Sequence, residues 1–204
     1  MAYKIWKTLD QVERYANKRY RTWDQRWISN REQRLVADLF RRHDLGDTIL
    51  DAPSGFGRFH GLLRAFGTVY AADLNHFAVE YYNQRICSDP PAVEAAADNL
   101  PFPDGNFDSV FCFRLLQHIH GADERIAILT ELARVSRRAV VASIYIETWF
   151  HSTHRKLVKM PSKITMIARD QLAAEAKAAG LRLAELRAVV PGLHAHQIGL
   201  FFKE

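Results

Sequence analysis

Short apolar runs bounded by polar turns recur along the chain. Thr48–Ala52, Thr68–Asp73 and Asn106–Phe113 are such runs, as are Arg138–Ile146, Leu181–Val189 and His196–Phe202. Runs of this length flanked by turn residues predict buried strands. Ala92–Ala97 reads as a weaker third strand in chain order. Between the runs the pattern changes to a three-or-four spacing. It begins with a helical stretch from Leu9 to about Phe40 (Val12, Tyr15, Ala16, Arg19), whose second helix is expected over Arg31–Arg42 with Leu35, Val36 and Leu39 on one face. Further helices are expected from Gly55 through Arg64, over His76–Ile86, over Asp123–Val135, and over Arg169–Ala179, where Gly180 supplies a C-terminal cap. Strands alternating with helices over short loops predict an α/β fold, a doubly wound, mostly parallel seven-stranded sheet behind N-terminal helices. Only a Pro191-Gly192 turn separates the final two runs, so the last strand is expected to be antiparallel.

Composition changes this picture little. The 204 residues are 48% hydrophobic and 25% charged, ordinary for a globular chain. No run approaches the ~20 apolar residues that span a bilayer, and the first residues lack a signal-like apolar core. No transmembrane segment is therefore expected, and the cytoplasm is the default location. Cys87 and Cys112 are too few and too far apart for a disulfide framework or a zinc site, so no metal is expected. Charge is more informative. Residues 1–42 hold eleven Lys/Arg against five acids, and Glu147 is the sole acid between Arg137 and Arg169. Such patches attract anions, or are merely solvated helix faces.

The candidate chemistry starts at Ile49-Leu50-Asp51-Ala52-Pro53-Ser54-Gly55-Phe56-Gly57. An acid ends a buried strand there, and two glycines shape the turn that follows. Glycine permits positive φ and close approach of a ligand to the backbone. Asp73 ends the next strand, 22 positions on. A carboxylate so placed can accept hydrogen bonds from both ribose hydroxyls of an adenosine. A nicotinamide dinucleotide would share these two features. However, its fingerprint needs a third glycine where His60 stands, and Asp51 would sit badly beside a pyrophosphate.

Taken with two later segments, these residues resemble the class I S-adenosylmethionine-dependent methyltransferases, of the small-molecule, type 11-like kind. The later segments are Asp98-Asn99-Leu100-Pro101-Phe102-Pro103-Asp104-Gly105-Asn106-Phe107-Asp108 and Phe113-Arg114-Leu115-Leu116-Gln117-His118-Ile119. The resemblance covers about residues 48–146. It implies a Rossmann-like fold and S-adenosyl-L-methionine as cofactor, contacted by Asp51, Ala52, Pro53, Gly55, Gly57, Asp73, Leu74, Ala97, Asp98, Asn99 and Phe113. It further implies one domain: a helical cap over 1–46, a cofactor-binding core over 47–146, and an acceptor-side segment with closing strands over 147–204. Two departures stand out. Pro53 replaces the first motif glycine, and Ala96 stands where an acid often meets the adenine amine, leaving that contact to Asp98 or to backbone amides.

On the acceptor side the resemblance points to the N-terminal helices and to the segments after the fourth and fifth strands. Those regions hold Tyr15, Tyr20, Trp23, Trp27, Arg114, His118, Trp149, His151, His154 and Arg155. His118, Arg114 and His151 are the candidate catalytic residues, the histidines because they titrate near neutral pH. His118 is equally well read as structural, and Trp23 and Trp27 as core contacts. The segment Thr148–Lys163 reads as a long lid-like insertion. The expected reaction is methyl transfer to a small-molecule, carbohydrate or lipid-headgroup acceptor, and the basic patches suit an anionic one. Nucleic acid is disfavoured because Cys112-Phe113-Arg114-Leu115 replaces the proline-rich turn of base-amine methyltransferases. An inactive binding protein on the same fold and an RNA methyltransferase stay open as alternatives. Nothing in the sequence sets the oligomeric state.

Overall fold

The structure, a computed structural model, describes residues 6–147, 164–192 and 195–204. Its strands are β1 (Thr48–Asp51), β2 (Thr68–Asp73), β3 (Val93–Glu94), β4 (Phe107–Cys112), β5 (Ser136–Tyr145), β6 (Leu181–Ala188) and β7 (His196–Lys203). Its helices are α1 (Leu9–Lys18), α2 (Trp23–Arg42), α3 (His60–Leu63), α4 (His76–Arg85), α5 (Ala122–Val135) and α6 (Arg169–Ala178), with a 3-10 turn over Leu116–His118.

The strands form one sheet in the order β3-β2-β1-β4-β5-β7-β6. β7 runs antiparallel to both β5 and β6, while the pairs among β1 to β5 are parallel. The doubly wound sheet with an antiparallel last strand is thus present as expected. Because side chains alternate across a strand, neighbouring residues serve opposite faces. Ile49, Val69, Phe111, Val141 and Leu200 pack with Val36, Leu39 and Phe40 of α2 and Leu63 of α3. Leu50, Val110, Val140 and Ile144 pack with Ile128, Leu129 and Leu132 of α5 and Leu172 of α6. Both faces are covered, which is why these strands read as continuous apolar runs. Strand order reverses between β1 and β4, the place where open α/β sheets leave a crevice at their carboxyl ends.

Three boundaries differ from the sequence reading. α2 begins at Trp23 rather than Arg31, because Ser29 and Glu32 are polar residues on its buried face and mask the apolar period. The chain turns between α1 and α2 at Tyr20, whose φ is +65°. α3 starts at His60, because residues 52–59 spend themselves in turns, with Gly57 N donating to Ser54 O and His60 N to Gly57 O. β3 is only two residues long, pairing Val93 and Glu94 with Ala72 and Asp73. Trp23 is 82% exposed and Trp27 48%, so neither is a core contact. Among the described residues, no helix is long and apolar enough to cross a membrane.

Candidate active site

Asp51 closes β1 and Asp73 closes β2, and both carboxylates are buried. The turn after β1 is tied to β2 twice: Ser54 N donates to Ala72 O at 2.9 Å, and Gly55 N donates to Asp73 Oδ2 at 2.8 Å. Asp73 Oδ1 accepts from Asn75 N at 2.8 Å. The N-cap of α4 is Asn75, whose side chain accepts from Ala78 N. Asp73 is therefore not needed as the helix cap.

The two glycines of the turn have different reasons. Gly55 has φ +54°, and a Cβ there would meet nothing within 4 Å. Its bare backbone borders open space, the geometry a closely approaching ligand needs. Gly57 has φ +72°, and a Cβ there would lie 2.8 Å from Ile86 Cγ1 and 3.1 Å from Tyr82 Cδ2. Gly57 thus lets the turn pack against α4.

Burial raises the Asp51 carboxyl well above its ordinary value, and the neighbouring Asp73 carboxylate adds to the rise. Burial also raises Asp73, partly offset by the amides of Asn75 and Gly55. Two desolvated carboxylates at adjacent strand ends disfavour each other's charge. A cationic ligand carrying hydroxyl donors reverses that penalty. A sulfonium amino acid joined to a ribose has this chemistry, so the residues present fit S-adenosylmethionine.

A cavity of about 1060 Å³ opens at these strand ends. Of the expected cofactor contacts, Asp51, Ala52, Pro53, Gly55, Asp73, Leu74, Ala97, Asp98 and Phe113 line it; Gly57 and Asn99 do not. Asn99 instead closes a tight turn, its N–H donating to Ala96 O at 3.0 Å. Arg114 and His118 line the cavity together with Trp6, Tyr15, Arg19, Tyr20, Arg58 and Tyr145. His151, Trp149, His154 and Arg155 lie outside the described residues, with all of 148–163. The Leu100-Pro101-Phe102 segment has structural work: Leu100 N donates to Glu131 Oε1 at 2.7 Å, and Arg134 Nη1 and Nη2 donate to Phe102 O and Leu100 O. Asp108 stands near the opposite, amino end of β4, accepting from Asp47 N, Thr48 N and Thr48 Oγ1 at 2.8–3.1 Å.

Residues 50–143 match the family model described as a methyltransferase domain. The match runs from β1 into β5, just under half of the chain. Among solved structures, the chain is similar to magnesium protoporphyrin IX methyltransferase from Synechocystis PCC 6803 with bound SAH. Identity is 19%, the match covers 96% of this chain and 94% of that one, and the TM-score is 0.75. The PH0226 protein from Pyrococcus horikoshii OT3 is 15% identical over 94% of this chain and 99% of that one, with a TM-score of 0.71. At such identities the likeness is one of fold. The uncharacterized protein MJ0638 of Methanocaldococcus jannaschii is 30% identical over 90 residues, 43% of this chain; the match spans 35% of that curated relative.

The sheet meets the N-terminal helices through a charged cluster that sequence reading missed. Glu32 of α2 is fully buried. It accepts from Arg114 Nη2 at 2.6 Å and from Arg58 Nη2, and His196 Nδ1 of β7 lies 3.2 Å away. Burial alone would push the Glu32 carboxyl up; His196, Arg114 and Arg58 outweigh it and hold the group at about 2. Arg114 is held in the left-handed region at φ +61°, with its N–H donating to Ser143 Oγ at 2.6 Å. A non-glycine residue there costs on the order of 1–3 kcal/mol, strain that persists where surrounding contacts fix the position. That backbone sends the side chain back under α2 to Glu32. Beside it, burial lowers His118, and Arg114 and His120 lower it further. His118 is neutral at pH 7 and able to accept a proton.

Proposed function

We propose that the chain transfers a methyl group from S-adenosylmethionine to a small-molecule acceptor seated beneath the N-terminal helices. One observation carries this reading. A single cavity runs from the Asp51, Gly55 and Asp73 constellation to Tyr15, Tyr20, Arg114, His118 and Tyr145. Its volume of about 1060 Å³ is at the top of the usual range for small-ligand pockets, about 300–1,000 Å³. Cofactor and a small acceptor fit together in such a space.

The cofactor supplies a methyl group on a sulfonium, whose C–S bond breaks as the acceptor's new bond to carbon forms. The residues of this chain have simpler tasks. Asp73 would accept hydrogen bonds from the ribose hydroxyls, and Asp51 would offset the charge of the ammonium group. Gly55 leaves the backbone open for close approach, and Phe113 packs against the cofactor. Trp6, Tyr15 and Tyr145 exclude water and fix the acceptor's orientation, which supplies much of the rate in a reaction with a good leaving group. His118 takes the acceptor's proton where the acceptor must lose one.

Thermal unfolding with S-adenosylmethionine, S-adenosylhomocysteine and NAD tests the cofactor half. A ligand at a hundred times its Kd stabilises the folded state by about 2.7 kcal/mol. The first two ligands should raise the midpoint and NAD should not; equal stabilisation by NAD would overturn the reading. A mass-spectrometric screen for products heavier by one methylene tests the acceptor half, and separates an enzyme from an inactive binder.

A further inference from the structure

We infer that the acceptor carries a carboxylate that docks on Arg58 and Arg114, as an anchor distinct from the atom that receives the methyl group. The inference rests on the methyl-transfer reading and names the substrate class of the same site.

Both arginines line the cavity, and both converge on Glu32. Their side chains are 10% and 29% exposed. Two guanidiniums share one carboxylate, so one positive charge is left over in a desolvated place. The nearby His196 adds no compensating negative charge. Donors are left over as well. Arg58 Nε and Nη1 and Arg114 Nε are buried with no hydrogen-bond partner among the described residues. Buried polar groups in folded proteins are nearly always satisfied, so these donors call for a partner, whether a water, an ion or a ligand. A third guanidinium, Arg19, lines the same cavity, and its Nε is likewise buried without a partner.

The donors are forked N–H groups, the geometry that recognises a planar carboxylate. The neighbouring wall is aromatic: Trp6 and Tyr15 lie 5.5 Å apart between centroids, and Tyr15 and Phe56 5.6 Å in an edge arrangement. Arg58 stands 4.2 Å over the Tyr20 ring, which orients its guanidinium plane. An acceptor with a ring against this wall and a carboxylate on the arginines meets the aromatic surface and the spare charge of the Arg58 and Arg114 pair together.

The carboxylate is the anchor because of what methylation would do to it. An ester is neutral and accepts hydrogen bonds weakly, so esterifying this group would strip the arginines of their partner as the reaction advanced. Interactions that weaken toward the transition state slow a reaction. Charge pairing that persists unchanged through the reaction serves positioning.

Isothermal titration of the full chain, saturated with S-adenosylhomocysteine, tests this with benzoate, benzamide and phenyl phosphate as probes. Benzoate should bind in the millimolar range, benzamide about ten-fold weaker or worse for want of charge, and phenyl phosphate no more tightly than benzoate. Arg114→Gln and Arg58→Gln should each weaken benzoate about ten-fold while S-adenosylhomocysteine affinity stays within about two-fold, and Arg114→Lys should fall between parent and Arg114→Gln. The comparison of the three probes on the parent needs no variant, so it stands even if a substitution prevents folding. Benzoate failing to bind at millimolar concentration, benzamide binding equally well, phenyl phosphate binding more tightly, or folded variants keeping full benzoate affinity would each overturn the carboxylate anchor alone. Failure of the parent to bind S-adenosylhomocysteine would overturn the methyl-transfer reading and this one with it.

Discussion

Glu32→Gln removes one negative charge from the point where four segments meet. The carboxylate of α2 faces Arg58 from the turn before α3, Arg114 from the segment after β4, and His196 from β7. Its size follows from the electrostatics. In the folded protein the carboxyl sits at about 2, against an ordinary value of 4.5. At about 1.4 kcal/mol per pKa unit, the charged form contributes roughly 3 kcal/mol to stability. Removing one partner of a buried ion pair costs a similar amount, about 3–5 kcal/mol. Glutamine keeps the shape and one acceptor oxygen, so the loss should lie near the lower figure. The sign with pH is fixed by the depressed value. The contribution is complete above pH 4.5, the value in the unfolded chain, and is lost as pH falls toward 2. Urea unfolding of parent and variant at pH 7, and at steps from pH 5 to 3, reads the difference directly. The gap should be about 3 kcal/mol at pH 7 and narrow steadily below pH 4.5. Glu185, held at about 2 by its Arg42 hydrogen bond above all, adds acid lability to both proteins and cancels in the comparison. A gap below about 1 kcal/mol at pH 7, or one that stays constant down to pH 3, would refute the reasoning.

Three further outcomes follow from single contacts. Asp73→Ala should weaken S-adenosylmethionine binding by about 2–4 kcal/mol in calorimetry, because the ribose loses a charged acceptor and the Gly55 amide its tether. Gly57→Ala should lower stability by about 1–2 kcal/mol, from positive φ and the contact with Ile86, while cofactor affinity of the folded variant stays near that of the parent. Arg125→Met strands the buried Glu175, which it meets at 2.5 and 2.9 Å, and should cost about 3–5 kcal/mol in denaturant unfolding; adding Glu175→Leu should recover much of that.

The legible parts of this molecule are those whose physics is local in sequence. An apolar run that ends in Asp51 and turns through Gly55 announces strand, reversal and ligand cradle within a few residues. Asp73 at the next strand end completes the cofactor half. Chain topology places both acids side by side, since parallel strands joined by a crossover bring their carboxyl ends together. Gly57 reads as part of the same cradle because a glycine in a turn looks alike whether a ligand or a helix approaches it. Only the position of Ile86, 29 residues on, tells which. The start of α2 was hidden for a related reason. Hydrophobic periodicity assumes that buried positions are apolar, and Ser29 and Glu32 break the assumption because their partners are guanidiniums from distant segments.

The cluster around Glu32 is hard to read in advance for the same reason. Arg58 follows the glycine turn immediately, where an arginine passes for a solvated residue, and Glu32 looks like one more charge on a basic helix. Neither carries a signal alone. Their meaning arises from a contact 26 residues apart, completed by Arg114 another 56 along and His196 near the end of the chain. A backbone cue did exist at neither position, but the residue after β4 sits where the sheet's crevice opens, and the left-handed φ of Arg114 marks it as held there by its surroundings. The cofactor cradle uses backbone amides and strand-end acids, which any chain of this topology must supply in order. The cluster around Glu32 uses long side chains that reach across the sheet, so many pairings can build it. Strand-end acids are therefore visible early in such a sequence, while the excess guanidinium charge over Glu32 exists only in tertiary structure and is the feature that experiment can question first.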